Sequence, residues 1–312
     1  MSALKLIVLS GPTGVGKTDL SIALAQRLGC PIVSADSRQV YREMPIGTAA
    51  PSPQLQALVP HYFVGSRSVT RAYSAGNYEA DATALLDRLF KTHSTLLLCG
   101  GSSLYIDAVC RGIDDIPEAD PRVRDELMTR YKQEGLAPIA RELQQVDPLY
   151  YQRVDPQNVQ RVIHALEVYR TSGRPLSSFH TGQQKNRPFA SYFFCLNRPR
   201  EELYERINAR VLQMINAGWP AEAYALMPLS HLNALNTVGY KELFDYFGGR
   251  IDWPETLRLI QRNTRHYARK QLSWIRRDGR YHYLDARRPC PDLIKEIETV
   301  IQAPVRSGPK EN

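Results

Sequence analysis

The sequence contains no C-x-x-C pair. Its five cysteines, Cys30, Cys99, Cys110, Cys195 and Cys290, are scattered and odd in number, which argues against a zinc site and against a disulfide framework. The three earliest lie in or beside apolar runs and read as small core residues in a reducing compartment. No apolar stretch approaches the length of a membrane span, so no membrane partner is expected. The apolar run near the N-terminus is only a few residues long and is needed as a strand, so it is no signal peptide and the expected location is cytoplasmic. Internal repeats and low-complexity segments are also missing. What is present is a chain of 312 residues, long enough for a large core and for two domains. Forty Lys and Arg against 32 Asp and Glu leave a formal charge of +8. That excess suits a polyanionic partner, and a small-molecule kinase rarely needs it.

Residues 11 to 18 read Gly11-Pro12-Thr13-Gly14-Val15-Gly16-Lys17-Thr18, a complete G-x-x-x-x-G-K-[ST] loop. Leu4 to Ser10 before it is an apolar run of strand length, and after it Leu20, Ala23, Leu24 and Leu28 recur at helical spacing. Backbone N–H groups of such a loop point at an anion, its glycines allow close approach, and the helix N-terminus adds a favourable dipole. Lys17 would bridge phosphate oxygens, and Thr18 would ligate Mg²⁺. The loop implies a polyphosphate and leaves its owner open.

The spacing predicts further strands at Pro31–Ala35, at 61–64, at Thr95–Cys99 and at Ala190–Leu196, with a helix over Ala75–Lys91. Strands alternating with helices imply an α/β fold, a parallel sheet covered by helices on both faces. From Ile116 to about Pro188 the pattern turns polar and helical, punctuated by prolines. The expected division is therefore a core of residues 1–115 and 189–312 and a mostly helical insert of 116–188. An amphipathic helix carrying Leu203, Ile207, Val211 and Met214 follows the fifth strand, Pro254 to about Arg277 is the longest helical candidate, and the tail after Ala303 should fray.

Asp36 follows the second strand, and ligands of open α/β sheets collect at the carboxyl ends of strands. Its carboxylate could ligate Mg²⁺, act as a general base, or cap a turn. The fourth strand ends in Cys99-Gly100-Gly101-Ser102-Ser103 with no acid, where a nucleotide hydrolase would normally place a metal-binding carboxylate. There the hydroxyls could reach phosphate oxygen, or Ser102 could simply cap the next helix. In the long helical segment Arg262, Arg269 and Arg276 recur at heptad spacing with Arg265 and Lys270 close by, a basic face able to follow phosphates, or an ordinary solvated one.

In order and spacing, the set Gly11 to Thr18, Ser34-Ala35-Asp36-Ser37, Tyr41 to Ala49 and Gly100-Gly101-Ser102 resembles the bacterial tRNA dimethylallyltransferase (IPP transferase) family. Asp120-Pro121, Asp147-Pro148, Gln160-Arg161, Ala165 to Val168, Val238-Gly239-Tyr240 and Arg269 to Trp274 extend the likeness from about residue 5 to about residue 285. The resemblance implies a P-loop NTPase-like fold with a helical inserted domain, and Mg²⁺ as cofactor. It also implies that the loop holds dimethylallyl diphosphate, whose prenyl group passes to N6 of the adenosine 3′ of the anticodon in tRNAs reading codons that begin with U. By the same resemblance Asp36 is the base, Lys17 stabilises the leaving diphosphate, Ser102 contacts its bridge, and Arg206 and Arg210 lie near the reacting centre. The family more often has threonine at Ser102; serine keeps the hydroxyl.

Because a stacked base cannot reach a buried diphosphate, the adenosine must flip into a channel. The tRNA contacts expected are Asp36, Ser37, Arg38 and Gln39 with Ser102 at the channel floor, Arg124, Gln160, Arg161, Val162, Ile163 and His164 on the insert, and Arg265 and Arg269 on the long helix. The partners are then the tRNA anticodon stem-loop and dimethylallyl diphosphate, with the enzyme a monomer. The rival readings are a small-molecule kinase with the insert as a lid, and an RNA-binding switch without catalysis.

Overall fold

The structure is a computed structural model and describes residues 4–118 and 120–302; the tail expected to fray lies outside them. Strand β1 (Lys5–Ser10) leads through the glycine loop into α1 (Lys17–Leu28), followed by β2 (Ile32–Ser34), α2 (Pro53–Leu58), β3 (His61–Tyr62), α3 (Ala75–Leu89), β4 (Thr95–Cys99) and α4 (Ser103–Cys110). Four helices come next, α5 (Pro121–Glu134), α6 (Leu136–Val146), α7 (Pro148–Tyr151) and α8 (Val159–Ser172). The chain returns through β5 (Ala190–Asn197), α9 (Arg200–Asn216), α10 (Trp219–Ala225), α11 (Tyr240–Phe247), α12 (Trp253–Arg277), β6 (His282–Asp285) and α13 (Cys290–Gln302).

The six strands form one sheet in the order β3-β2-β4-β1-β5-β6, and every neighbouring pair is parallel. Leu6, Ile7, Val8 and Leu9 of β1 are all fully buried, as a central strand covered on both faces must be. Since β4 lies between β1 and β2, the chain leaving β1 has to cross β4, while β5 lies on the other side. The carboxyl ends of these strands therefore open on one crevice, the position where α/β sheets place ligands.

Local sequence sets the helix starts. Ser74 and Asn77 close a reciprocal capping box on α3, and Asp252 accepts from Glu255 N–H on α12, with Pro254 in the first turn. Two differences from the sequence pattern have simple causes. The third strand ends at Tyr62 rather than residue 64 because Phe63 takes φ +61, a left-handed backbone that no ladder accepts. Strand β6 gives no alternating signal because it is an edge strand whose His282 and Tyr283 are exposed. Helix α13, also unforeseen, buries Leu293, Ile297 and Ile301 at a spacing of four that was there to be read.

By contacts the chain divides into two units, one running to Arg111 and resuming at Arg187, the other Gly112–Asn186. The first has the sheet core and a second apolar centre around Met44, Trp219, Tyr240, Leu243 and Ile260. The second packs α5, α6 and α8 around Leu127, Ile139, Leu143, Val162, Ile163 and Leu166, with Glu142 bridging Arg130 and Arg170 at 2.6 Å each. Among the described residues no helix is long and apolar enough to cross a membrane.

Candidate active site

The glycine loop is built as its sequence requires. Gly16, at φ +108, precedes α1 and gives it no side-chain cap, which leaves the first-turn N–H groups and the helix dipole directed at the loop. Lys17 Nζ donates to the carbonyls of Gly11 and Pro12 at 2.8 and 2.9 Å. Burial lowers the pKa of this ammonium from the ordinary lysine value, and the nearby Arg210 adds to the effect while Cys99 and Asp36 oppose it. Thr13, Gly14, Gly16, Lys17 and Thr18 line a cavity of about 640 Å³; Gly11, Pro12 and Val15 lie buried behind them.

Asp36 lines the same cavity, two residues past β2. Its Oδ1 accepts from the N–H groups of Arg38 (2.9 Å) and Gln39 (3.2 Å), so the carboxylate is fixed by its own turn. Arg38 and Gln39 are cavity residues too, Arg38 anchored on the carbonyls of Asn233 and Ala234, Gln39 on those of Thr48 and Ala49. The glycine pair after β4 serves close packing. A Cβ on Gly100 would lie 2.2 Å from the Ala35 carbonyl oxygen, and one on Gly101 2.3 Å from Gln271 Nε2. Ser102 opens α4 without capping it; instead its Oγ accepts from Ser37 N–H at 2.9 Å and lies 3.2 Å from Ser37 Oγ. The hydroxyl thus ties the turn carrying Asp36 to the end of β4, and neither Ser37 nor Ser102 is among the residues lining the cavity.

Arg206 and Arg210 stand one turn apart on α9 and both face the cavity. Arg206 Nε donates to the Gly14 carbonyl at 3.0 Å, and Arg210 reaches Thr13 Oγ1 at 3.5 Å and the Ala49 carbonyl at 3.4 Å. Burial pulls the Arg210 pKa below the usual guanidinium value, with Asp36 opposing and Arg206 reinforcing. Two cations beside Lys17 make this wall strongly receptive to an anion.

Sequence reasoning missed the contribution of α12 to the cavity. Thr264, Tyr267 and Gln271 line it from one helix face. Local desolvation, aided by Asp36, pushes the Tyr267 hydroxyl up to about 12, although the residue as a whole is 40% exposed. Gln271, 7% exposed, accepts from Thr13 N–H at 2.9 Å and donates to the Gly101 carbonyl at 3.0 Å. A glutamine on the buried face of a helix, between Ala268 and Ile275, was the available signal.

The outer face of α12 exposes His266, Arg269, Lys270, Trp274, Arg276 and Arg277. His266 is held below the ordinary histidine range, first by desolvation and then by Arg269, Arg262, Arg265 and Lys270 around it. Arg265 departs from this stripe: its guanidinium is half-buried, donates to Asn208 Oδ1 at 2.7 Å and lies over the Tyr204 ring.

In the second unit, Arg124 on α5 donates to both oxygens of the buried Glu167 and to Gln160 Oε1, and His164 lies 3.4 Å from Glu167. Gln160, Arg161 and His164 are exposed. Val162 and Ile163 are not: both are buried in the core of this unit, so their side chains hold α8 in place and present nothing to a partner. They were expected as contacts because they follow Gln160-Arg161 in the segment picked out by the resemblance, and the helical period turns them inward.

No group of three or more His, Cys, Asp or Glu that could hold a metal occurs among the described residues. The Thr18 hydroxyl in the cavity fits an ion such as Mg²⁺ that arrives with phosphate oxygens and keeps most of its water, rather than one held in a protein cage.

The family model described as IPP transferase matches residues 39–278, starting beyond the glycine loop and Asp36. Over 274 residues, 88% of this chain and 91% of the relative, the chain is 59% identical to a Porphyromonas gingivalis protein named tRNA dimethylallyltransferase 2. Over 306 residues, 98% of this chain and 100% of the relative, it is 47% identical to tRNA dimethylallyltransferase 1 of Bacteroides fragilis. Among solved structures, the full-length tRNA isopentenylpyrophosphate transferase from Bacillus halodurans matches with a TM-score of 0.69 at 32% identity, over 95% of each chain.

Proposed function

The chain belongs to the IPP transferase family, and on that premise we propose that it transfers a dimethylallyl group from dimethylallyl diphosphate to N6 of the adenosine 3′ of the anticodon, in tRNAs reading codons that begin with U. The observation that carries this reading is one cavity that joins a glycine loop with its Lys-Thr pair, a fixed carboxylate and two arginines, next to a β4 end without an acid.

The reaction breaks the C–O bond to the diphosphate and forms a C–N bond to adenine. The leaving group takes the electron pair, and one proton must leave N6. Lys17, Arg206, Arg210 and the N–H groups at the start of α1 would stabilise the charge that grows on the diphosphate. Asp36 would accept the proton; its two N–H bonds fall on Oδ1, so Oδ2 is the oxygen to take it. The N6 lone pair is delocalised into the ring, which makes such a base worth having. Mg²⁺, held by Thr18 and the diphosphate, would supply charge neutralisation on the leaving group. Ser102 acts through Ser37, keeping the Asp36 turn in register with β4.

The outer face of α12 around Arg269 suits anticodon-stem phosphates, and the insert, residues 116–188, would read the anticodon loop through Gln160, Arg161 and His164, with Arg124 steadying Gln160. All proposed catalytic groups come from one chain, so a monomer suffices, and its tRNA substrate would place the work in the cytoplasm.

The test mixes purified protein with Mg²⁺, unmodified tRNA and either labelled dimethylallyl diphosphate or labelled ATP. Label should enter tRNA from the prenyl donor alone. Label entering only from ATP, or from neither, would sink the proposal.

A further inference from the structure

We infer that Gln271 is a positioning residue for the diphosphate site, fixing the glycine loop against the end of β4 from the buried face of α12. The inference rests on the proposed function and adds to it a residue that touches no reacting atom. Its side-chain amide joins two backbone segments that lie far apart in sequence, the Thr13 N–H and the Gly101 carbonyl, at 2.9 and 3.0 Å.

The chemistry of the two partners leaves little freedom at this position. One partner is a donor and the other an acceptor, so the bridge needs an acceptor and a donor on one planar head, which an amide provides at any pH. Methionine would fill the space and leave both backbone groups unpaired. Glutamate would keep the bond to Thr13, oppose the Gly101 carbonyl oxygen, and set a negative charge beside the loop that must receive an anion. The absence of a side chain at Gly101 belongs to the same arrangement, since a Cβ there would sit 2.3 Å from Gln271 Nε2.

The bridge also sorts the donors of the loop. Thr13 N–H is committed to Gln271, and Thr13 Oγ1 faces Arg210 at 3.5 Å, so residue 13 is gripped by α12 through its backbone and by α9 through its side chain. With the Val15 N–H donated to the Pro12 carbonyl, the N–H groups at the uncapped start of α1 are the ones set for the ligand. Without the amide, residue 13 keeps only its side-chain contact to α9, while Lys17 still holds the Gly11 and Pro12 carbonyls.

The experiment measures binding of inorganic pyrophosphate with Mg²⁺ by calorimetry, without tRNA, for the wild type, Gln271→Met, Gln271→Glu and Gln271→Asn. Steady-state KM for dimethylallyl diphosphate and for tRNA is measured on the same proteins, and thermal melting shows which variants are folded. Gln271→Met should weaken pyrophosphate about tenfold and raise KM for the prenyl donor to match, with KM for tRNA unchanged. Gln271→Glu should weaken it further, and Gln271→Asn should be intermediate. Folded variants that bind pyrophosphate like the wild type, or that lose both substrates equally, would overturn the inference. A wild-type protein that binds no pyrophosphate would overturn the proposed function itself, so the two failures are distinguishable. If Gln271→Met does not fold, the Glu and Asn variants decide by the same criteria.

Discussion

Two groups of cations look alike in the sequence and differ in the folded molecule. Arg206 and Arg210 on α9 line the cavity and touch the glycine loop, Arg210 half-buried and Arg206 at the exposed rim, whereas Arg269, Lys270, Arg276 and Arg277 on α12 are exposed and line no part of it. Burial lowers the pKa of Arg210. In a water-poor cavity a fixed cation acts strongly on charge that develops nearby, while at the surface salt screens it. The first group is therefore suited to chemistry and the second to docking a long polyanion. Helix α12 serves both ends, since its inner face carries Tyr267 and Gln271 to the cavity.

The sharpest break in that division would come at Asp36. Asp36→Ala should lower single-turnover transfer by about 10²-fold or more and leave tRNA affinity in place. A rate near that of the wild type would remove the general base from the cavity. Arg210→Met should cost about 10²-fold in kcat, the scale of removing one preorganised charge from a developing anion. If it instead weakened tRNA without slowing the bound complex, Arg210 would belong with the outer set.

On the outer face, the double change Arg269→Ala with Lys270→Ala should weaken tRNA roughly tenfold at moderate salt and lower the slope of log affinity against log salt by about 2. Single-turnover rate at saturating tRNA should stay put. Arg265→Ala should have the smallest effect on the salt slope, because Asn208 and Tyr204 already engage that guanidinium. A loss of slope as large as that for Arg269→Ala would return Arg265 to the phosphate-tracking stripe.

Lys17 gives the division a pH signature. Burial lowers its pKa from 10.5, so the neutral form appears at a lower pH than for a free lysine. The alkaline limb of kcat/KM for the prenyl donor, which reports the free enzyme, should fall below pH 10.5, and tRNA binding should lack that limb. Lys17→Arg should remove the limb and lower the rate.

The legible parts were those in which neighbouring residues carry the whole signal. The glycine loop is eight consecutive residues, and Asp36 follows directly from the end of an apolar strand. The partners of Gln271 were illegible because they lie 258 and 170 residues away, and only the fold brings them together. Arg265 fell on the basic stripe by period, yet α9 supplies Asn208 from 57 residues away and captures it. Ser102 was legible as a hydroxyl at a helix start but not as a partner of Ser37, because that contact depends on β2 and β4 lying side by side. Val162 and Ile163 came in with the whole segment around Gln160-Arg161, and the phase of α8 buries both side chains.

One measurement tests the division of labour most directly. Single-turnover prenyl transfer to an unmodified anticodon stem-loop is followed across a salt series, with the wild type, Arg210→Met, and the Arg269→Ala, Lys270→Ala double variant, extracting affinity and bound-state rate for each. The cavity variant should lose rate and keep the salt slope of the wild type, and the surface variant should keep rate and lose slope. A cavity variant that alters the slope with its rate intact, or a surface variant that slows the bound complex, would contradict the assignment of chemistry to the one set and docking to the other.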